Sequence, residues 1–419
     1  MNEANWAGNV TYRASTIQRP ESVDALQRCV AGASRIRALG SRHSFNDLAD
    51  ADELVSLERL DLPMTIDRDA MSVTVSAGTS YGSLAGTLVR EGLALHAMAS
   101  LPHISIAGAI ATATHGSGDA CGNLATAVSG LEMVTGDGDL VRVRRGDPDF
   151  PGMVVGLGAL GIITRVTLDV EPEYRMHQQV FVDLAWDVLF DRFDQVTASA
   201  DSVSLFTDYG DTINQVWLKS RVTAGEVPVL RQDVFGAPAA TRPMHPVRDF
   251  PADSVTGQLG VPGLWSERLP HFRLDATPSV GAELQSEYLV GREDAVAALQ
   301  AIRGLSEIIR PYLLVSEIRT IAADDLWLST AYGRDSVGIH FTWKPDEVGV
   351  RSILPSIESA LAPFGPRPHW GKLFVAQASD LAPRYERLED FRGLAQRLDP
   401  GGRFRNTYLE RAIGIGPVY

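Results

Sequence analysis

A run of glycines near the middle of the chain places the strongest limit on the fold. Residues 156–161 read GLGALG and match the G-x-G-x-x-G fingerprint of dinucleotide-binding proteins letter for letter. That fingerprint requires a helix directly after it, because the helix N-terminus receives the pyrophosphate. Residues 162–170 are instead β-branched and alternate in polarity, which is typical of a strand. The sequence therefore argues against a Rossmann fold and predicts a glycine-rich bend.

Helix and strand patterns alternate through the first 170 residues. The clearest are a helix that starts at a proline, a half-buried strand, a second helix and a hairpin around Gly-Asp-Gly, at residues 20–30, 72–78, 81–89 and 131–143. The pattern changes near residues 171–173 and again at a proline-rich stretch. These changes predict an α+β chain with a first domain at 1–172, a second at 173–368 and a C-terminal segment at 369–419.

Composition excludes several classes of function. The chain has 419 residues, 45% of them hydrophobic, and a formal net charge of −14. Nucleic-acid binders usually carry a basic face, so we expect no nucleic-acid partner. No apolar run approaches the roughly 20 residues of a membrane helix, and no export signal is evident, which predicts a cytoplasmic protein with no membrane partner. The two cysteines and scattered histidines predict no disulfide framework and no metal site.

Two loops rich in glycine and hydroxyl residues indicate an anion site. They are Gly40–Ser44 and the stretch from Ser105 to Ser117, and both offer backbone N–H groups that bulky side chains do not screen. Either loop alone is compatible with an ordinary surface turn. Their joint occurrence favours the pyrophosphate of a dinucleotide. His43 lies in the first turn, where an unprotonated imidazole is a competent nucleophile near neutral pH.

Two strands place polar residues on one face. In residues 315–321, alternation puts Glu317 and Arg319 on the same side, and in 337–343 it does the same for His340 and Thr342. A charged pair in an apolar strand is costly unless it is paired or used. A structural salt bridge or simple solvent exposure would explain these residues equally well. Lys372, in the motif HWGK at 369–372, is compatible with a surface lysine beside a buried tryptophan.

Taken together, these motifs resemble those of a known family. They are RALGSRHSFN at 37–46, SLPHISIAG at 100–108, AIATATHGSG at 109–118 and HWGK at 369–372. The chain resembles the vanillyl-alcohol-oxidase family of flavoenzymes nearly end to end, and most closely its alditol-oxidising members. The resemblance implies a two-domain, PCMH-type FAD-binding fold with a sheet-and-helix substrate domain. It also implies that segment 369–419 returns to the FAD-binding domain and that the glycine run approaches the cofactor.

The resemblance implies FAD attached covalently through the imidazole of His43. One departure is Arg42, which stands where the family commonly has glycine; its side chain makes positive backbone angles costly, and it is able to pair with a phosphate. No cysteine stands near Ser100, so a single link is expected. The residues implied at the cofactor are Ala38, Leu39, Gly40, Ser41, Arg42, His43, Ser44, Ser100, Ser105, Gly108, Thr112, Thr114, His115, Gly116 and Ile162.

The substrate implied by the resemblance is a polyol, with dioxygen as the electron acceptor. Ser100, Glu317, Arg319, Thr342 and Lys372 match positions that hydrogen-bond the polyol, with His340 beside them. We expect Arg319 and Lys372 to stabilise alkoxide charge while Glu317 orients this pair and holds the adjacent hydroxyl. His340 is a candidate base, and proton loss to water is equally possible.

The sequence leaves two other functions open. An aldonolactone oxidase or dehydrogenase shares the histidine turn, a Glu-x-Arg strand and a His-Trp-x-Lys motif, but it acts on a ring hydroxyl. A non-catalytic flavin-binding or sugar-binding protein belongs to a different class, and it would not need the set from Ser100 to Lys372 in this register. The family resemblance covers nearly the whole chain, and the sequence shows no heptad repeat or exposed amphipathic arm that would pair with another copy. We therefore expect a monomer.

Overall fold

The computed structural model describes residues 3–223, 225, 227–276 and 283–416.

The first 172 residues form three sheets. A parallel three-stranded sheet has the order β1-β3-β2, a five-stranded sheet has the order β4-β5-β9-β7-β8, and β10 pairs with β6. The strands are Thr16–Gln18 (β1), Ile36–Leu39 (β2), Glu53–Ser56 (β3), Thr65–Asp67 (β4), Ser72–Ser76 (β5), Leu93–Ala94 (β6), Val128–Val134 (β7), Leu140–Arg144 (β8), Ile162–Asp169 (β9) and Glu171–Pro172 (β10). The helices are Val23–Gly32 (α1), Tyr81–Arg90 (α2), Ile106–Ala111 (α3) and Phe150–Val154 (α4).

The helices and strands predicted for this part are confirmed, except that the first helix begins three residues later than predicted. The predicted strand at 72–78, helix at 81–89 and hairpin at 131–143 correspond to β5, α2 and β7–β8. The first helix begins at Val23 rather than at Pro20, because the side chain of Ser22 caps it by accepting from Ala25 N. A strand, β9, follows the glycine run, so the structure lacks the helix that a Rossmann fingerprint requires.

The second part is built on an eight-stranded sheet of order β16-β11-β13-β12-β18-β19-β17-β20. Its strands, with the pair β14–β15, are Arg175–Ala185 (β11), Ser202–Thr207 (β12), Thr212–Val222 (β13), Asp233–Val234 (β14), Ala237–Pro238 (β15), Gly263–Leu264 (β16), Leu284–Gly291 (β17), Leu313–Ile321 (β18), Ser336–Trp343 (β19) and Arg367–Pro368 (β20). The helices are Trp186–Asp191 (α5), Phe193–Thr197 (α6), Ala295–Arg303 (α7), Ser306–Ile309 (α8) and Glu347–Leu361 (α9). Large apolar side chains from alternate strand positions fill one face of this sheet, including Ile339, Phe341 and Trp343.

The C-terminal segment carries three helices, Ala378–Leu381 (α10), Leu388–Leu398 (α11) and Thr407–Ile413 (α12). Asn406 caps α12 and donates to the carbonyls of Leu48 and Asp50, more than 350 residues away in sequence. These contacts support the prediction that segment 369–419 returns to the first domain. The division at residues 172 and 368 stays a prediction. In the described ranges, no helix is both long and apolar enough to cross a membrane.

Candidate active site

The turn after β2 presents His43 and depends on an unusual arginine. Arg42 has a φ of 64°, in the left-handed region that favours glycine. Its carbonyl accepts from Trp6 N at 2.9 Å, and its guanidinium lies 2.5 Å from the Glu3 carboxylate. The turn therefore keeps a glycine-like conformation despite the side chain. Glu3 is the ion-pair partner of that side chain in the described residues.

His43 is held as a neutral, stacked imidazole. Its ring stacks on Trp6 with the centroids 5.4 Å apart, and Nδ1 donates to the carbonyl of Ser41 at 2.9 Å. Burial lowers the pKa of His43, which favours the uncharged form. With Nδ1 as the donor, the other ring nitrogen carries a free lone pair. The turn thus holds a histidine that is ready to act as a nucleophile.

Ser105 joins the two glycine loops. Its backbone N–H donates to Ser41 Oγ at 3.1 Å, while its own hydroxyl is buried without a hydrogen-bond partner among the described residues. A Cβ atom added at Gly40 or at Gly108 would stand 2.8 Å from that hydroxyl. The two glycines therefore leave a cradle around an unused polar atom. Such a cradle fits a phosphate-bearing cofactor, because an unpaired buried hydroxyl is costly without a ligand.

The second loop continues into His115, which reaches toward the substrate side. Thr112 and Thr114 share a hydrogen bond between their hydroxyls at 3.1 Å, and both line the main cavity. His115 Nδ1 donates to the carbonyl of Gly116 at 2.9 Å. The prediction that Gly116 contacts the cofactor stays a prediction, and Gly116 is not among the residues that line that cavity. A Cβ there would lie 2.9 Å from Met98 O, so Gly116 permits close chain packing instead.

The glycine run is fixed by Arg37, which is fully buried. Its guanidinium donates to the carbonyls of Leu157, Gly158 and Phe404 at 2.5, 3.2 and 2.7 Å. Gly158 has a φ of 66° and lines the cavity, as the predicted bend requires. The prediction that Ile162 contacts the cofactor stays a prediction, and its side chain does not line the cavity. Alternation along β9 turns Ile162 into the core at 1% exposure and brings the next residue to the cavity.

These loops and the large sheet enclose one cavity of about 800 Å³. Along one part of its wall lie the predicted cofactor residues Ala38, Leu39, Gly40, Ser41, Arg42, His43, Ser44, Ser100, Ser105, Gly108, Thr112, Thr114 and His115. The predicted substrate residues complete the wall, namely Ser100, Glu317, Arg319, His340, Thr342 and Lys372. Segments more than 300 residues apart in sequence thus converge on one site. Its size suits a dinucleotide together with a small substrate.

Three neighbouring strands place a row of ionisable side chains in this cavity. Strand pairing puts Glu317 of β18 opposite His340 of β19, and His340 opposite Glu287 of β17. Directly paired residues point to the same face of a sheet, so the three side chains form one row. Glu317, His340 and Glu287 are all buried, with 4%, 6% and 1% exposure. The alternatives of surface exposure or a half-exposed salt bridge are therefore excluded.

Glu287 is the centre of the charge cluster. Its Oε1 accepts from Arg319 Nη2 at 2.7 Å and lies 3.2 Å from His115 Nε2. Its Oε2 accepts from Lys372 Nζ at 2.6 Å. Burial alone would raise the pKa of Glu287, but the charges of Lys372 and Arg319 outweigh it and hold the pKa well below the ordinary value. A carboxylate that is ionised near neutral pH therefore joins the two cations.

This arrangement corrects the role predicted for Glu317. Glu317 was expected to orient both Arg319 and Lys372, but it lies 3.6 Å from Arg319 Nε, and Glu287 makes the contacts that link the two cations. Gly338 makes the link to Arg319 possible. It pairs with Arg319 across the sheet, and a Cβ there would stand 3.1 Å from Glu287 Oε1. Without a side chain at Gly338, the arginine crosses the middle strand.

Lys372 and His340 determine which hydrogens Thr342 can offer. Lys372 Nζ donates to His340 Nδ1 at 2.9 Å, so the proton of the neutral ring is on Nε2, which lies 3.0 Å from Thr342 Oγ1. Burial and the charge of Lys372 hold the pKa of His340 well below its ordinary value. In this arrangement both ring nitrogens are engaged. The Thr342 hydroxyl accepts from the ring and keeps its own hydrogen for a ligand.

Sequence reasoning missed Glu287, Arg37, His271 and Lys219. Glu287 carried a signal, because it is a charge inside the apolar run LQSEYLV at 284–290, as Glu317 is in its own strand. Arg37 and Lys219 carried none, since their partners are carbonyls of distant segments. His271 lies in an irregular segment without a sequence pattern, and the folded chain brings it to Glu317, 46 residues away in sequence.

Comparisons with known proteins agree with this geometry. The family model described as FAD binding domain matches residues 14–144, and the model described as D-arabinono-1,4-lactone oxidase matches 282–412. The solved structure of cholesterol oxidase from B. sterolicum superposes with a TM-score of 0.80, covering 98% of this chain and 96% of that chain at 15% identity. The fold is thus that of the vanillyl-alcohol-oxidase class of FAD-binding flavoproteins.

Sequence relatives identify the family within this class of flavoproteins. An alditol oxidase of Streptomyces sp. is 47% identical over 410 residues, covering 97% of each chain. An L-gulono-1,4-lactone dehydrogenase of Mycobacterium tuberculosis is 29% identical over 431 residues, covering 98% of this chain and 99% of the relative. The chain belongs to the alditol oxidase family.

Proposed function

We propose that this protein is an FAD-dependent oxidase that converts the terminal primary alcohol of an alditol, such as xylitol or sorbitol, to the aldose. The observation that carries the proposal is the joining of Arg319 and Lys372 through Glu287 beside the flavin loops. An acyclic polyol needs several converging donors and acceptors, because its buried hydroxyls are costly when unpaired. Ser100, Glu317 and Thr342 supply them along the same cavity wall.

We propose that FAD lies against the residues of the two glycine loops and is attached through His43. Bound FAD supplies the hydride acceptor, and dioxygen then takes up the electrons to give hydrogen peroxide. Arg319 and Lys372 hold the substrate oxygen as negative charge develops on it. Glu317 accepts a hydrogen bond from the adjacent hydroxyl, and Thr342 donates one. Because both nitrogens of His340 are engaged, proton loss to water suits this arrangement better than His340 acting as the base.

The lactone alternative has lower similarity to support it, since the lactone dehydrogenase is 29% identical against 47% for the alditol oxidase. Polyol and dioxygen as the small-molecule partners follow from the proposed reaction. The monomeric state and the cytoplasmic location remain predictions from the sequence.

Anaerobic addition of xylitol should bleach the oxidised-flavin absorption of the purified protein, and admission of air should restore it with formation of hydrogen peroxide. A matched addition of L-gulono-1,4-lactone should leave the spectrum almost unchanged, because its ring carbons cannot adopt the extended arrangement by which an acyclic polyol places its hydroxyls along the cavity wall, although it also carries a terminal carbinol. The visible spectrum and a peroxide assay provide the measurement. Bleaching by the lactone alone would transfer the function to the lactone oxidases, and bleaching by neither compound would overturn the proposal.

His43→Ala should abolish covalent flavin attachment. In the unaltered protein, flavin fluorescence should remain with the polypeptide after denaturing electrophoresis, whereas the variant should release all of its flavin because no nucleophile remains in the turn. His103→Ala is the matched control, since His103 also lines the cavity but its Nε2 donates to Leu274 O at the exposed edge. Fluorescence retained by His43→Ala would assign the attachment to another residue.

A further inference from the structure

A second lysine–histidine pair lies behind the substrate face of the cavity. Lys219 of β13 is buried, and its ammonium group has three acceptors, Leu269 O at 2.6 Å, Pro270 O at 3.1 Å and His271 Nδ1 at 3.1 Å. An ammonium group has three hydrogens, so these contacts use all of them. Lys219 therefore has no donor left for a substrate, and its effect passes through His271.

The donation from Lys219 fixes the tautomer of His271. Since Nδ1 accepts, the ring hydrogen is on Nε2, which donates to Glu317 Oε1 at 2.7 Å. The ring is held edge-on between Phe206 and Trp217, with centroid distances of 5.5 and 5.3 Å. His271 consequently offers the carboxylate one hydrogen bond in a fixed direction.

The same residue also positions Ser100. The backbone N–H groups of His271 and Phe272 both donate to Ser100 O at 3.2 Å. One short segment thus contacts two of the residues that face the substrate, a carboxylate through its side chain and a serine through its backbone. Lys219 holds this segment in place, because its ammonium group donates to the carbonyls of Leu269 and Pro270, the two residues before His271.

Lys219 and His271 make the same contacts with each other as Lys372 and His340, but the oxygen that receives the histidine hydrogen is of a different kind. In both pairs a lysine donates to Nδ1, and Nε2 faces an oxygen of the cavity wall. On one side the oxygen belongs to Thr342, which keeps a hydrogen to donate. On the other it belongs to Glu317, a carboxylate that can only accept. The two pairs therefore set opposite hydrogen-bond polarity at the two places where a polyol would be held.

We propose that Lys219 and His271 are positioning residues that hold Glu317 as an ionised, correctly oriented acceptor for the hydroxyl next to the reacting carbinol. This inference rests on the proposed alditol oxidation. Neither residue touches the reacting atoms, because Lys219 is fully engaged and His271 directs its hydrogen at the carboxylate. The arrangement selects a substrate with a hydroxyl beside the terminal alcohol, since Glu317 held in this way would otherwise be a buried charge with too few donors.

The test compares two substitutions of the same histidine. His271→Gln retains an N–H near the position of Nε2, whereas His271→Asn retains only a group near Nδ1 and loses the donor to Glu317. Anaerobic rapid mixing with xylitol gives the limiting rate of flavin reduction and the dissociation constant of each holoenzyme separately. We expect His271→Asn to lower the ratio of these two quantities about 10- to 100-fold, as for loss of one hydrogen bond to a charge, and His271→Gln to stay within about threefold of the unaltered enzyme.

Lys219→Met tests the first member of the pair. It should impair reduction in the same direction as His271→Asn, and the double variant should be no worse than the poorer single variant, because the two residues act as one unit. If Lys219→Met does not fold, the two histidine variants decide the question. Full flavin content with an unchanged visible spectrum should accompany each folded variant.

Two results would overturn the positioning role. One is His271→Asn reducing its flavin as fast, and binding xylitol as tightly, as the unaltered enzyme; the other is His271→Gln being as impaired as His271→Asn, which would indicate a packing role alone. Failure of the unaltered enzyme to be reduced by xylitol would instead refute the proposed function, so the two failures are separate.

Discussion

Replacement of Arg319 by alanine should lower kcat for alditol oxidation by about 10²- to 10³-fold, the range seen when a donor to a developing oxyanion is lost. Arg319 is fixed at the site by its burial, with 6% exposure, and by a 2.7 Å hydrogen bond to Glu287. Burial by itself lowers the pKa of Arg319, but Glu317 and Glu287 outweigh it and raise the pKa, so the residue is charged throughout the working range. Steady-state peroxide formation provides the measurement.

Two controls make the Arg319 result specific. Flavin content should be unchanged, because Arg319 contacts the second glycine loop through a weak hydrogen bond, from Nη1 to the carbonyl of His115 at 3.4 Å. Arg292→Ala removes an arginine that pairs with Asp119 and Asp194 outside the cavity, and it should retain nearly full turnover. Equal activity of Arg319→Ala and the unaltered enzyme would remove Arg319 from the catalytic machinery.

Replacement of Glu287 by glutamine should be the most destabilising change at the site. The cluster balances Arg319 and Lys372 against Glu287 and Glu317, and the substitution leaves one buried positive charge without a partner. Breaking a buried pair in this way costs about 3–5 kcal/mol in the free energy of unfolding. Turnover should fall as well, because Lys372 loses the 2.6 Å partner that opposes the lowering of its pKa by burial.

The sign of the pH dependence distinguishes this explanation from simple packing loss. The pKa of Glu287 is lower in the folded state, so its stabilising contribution is complete above the unfolded-state value of about 4.3 and is lost as the pH falls through the folded-state pKa. The difference in unfolding free energy between the unaltered enzyme and Glu287→Gln should therefore shrink in acid. Chemical denaturation at neutral pH and below pH 4 provides the measurement.

The matched control for Glu287 is Glu171→Gln, which breaks the pair with Arg221 at a partly exposed position. That change should cost less than about 1 kcal/mol, as exposed pairs usually do. A loss for Glu287→Gln no larger than for Glu171→Gln would show that the buried carboxylate does not hold the two cations together.

Strand periodicity explains why much of the site could be predicted from the sequence. Alternation alone places Glu317 with Arg319 and His340 with Thr342, because side chains two apart share a face of a strand. Alternation also explains why Ile163, rather than Ile162, has its side chain at the cavity in β9. Pattern determines which residues share a face but not which face points to the ligand.

What the sequence could not provide is pairing between strands. Glu287 and His340 are 53 positions apart, and only the register of β17 with β19 brings them together. The same holds for Lys219 and His271, which are 52 positions apart and meet because the irregular chain after β16 returns to β13. Positions that interact through tertiary register have no local signature, whereas loop chemistry such as the His43 turn does.

Arg37 has a consequence for the order of events during synthesis. Its three carbonyl partners include Phe404, which lies 367 residues further along the chain, so the glycine bend is fully braced only after that residue has been synthesised and has packed against the first domain. A nascent chain that has completed residues 14–144 has both glycine loops but neither Lys372 nor this brace. A chain that stops before Phe404 should therefore lack the full brace of the glycine bend beside the cofactor loops, even if it retains Lys372.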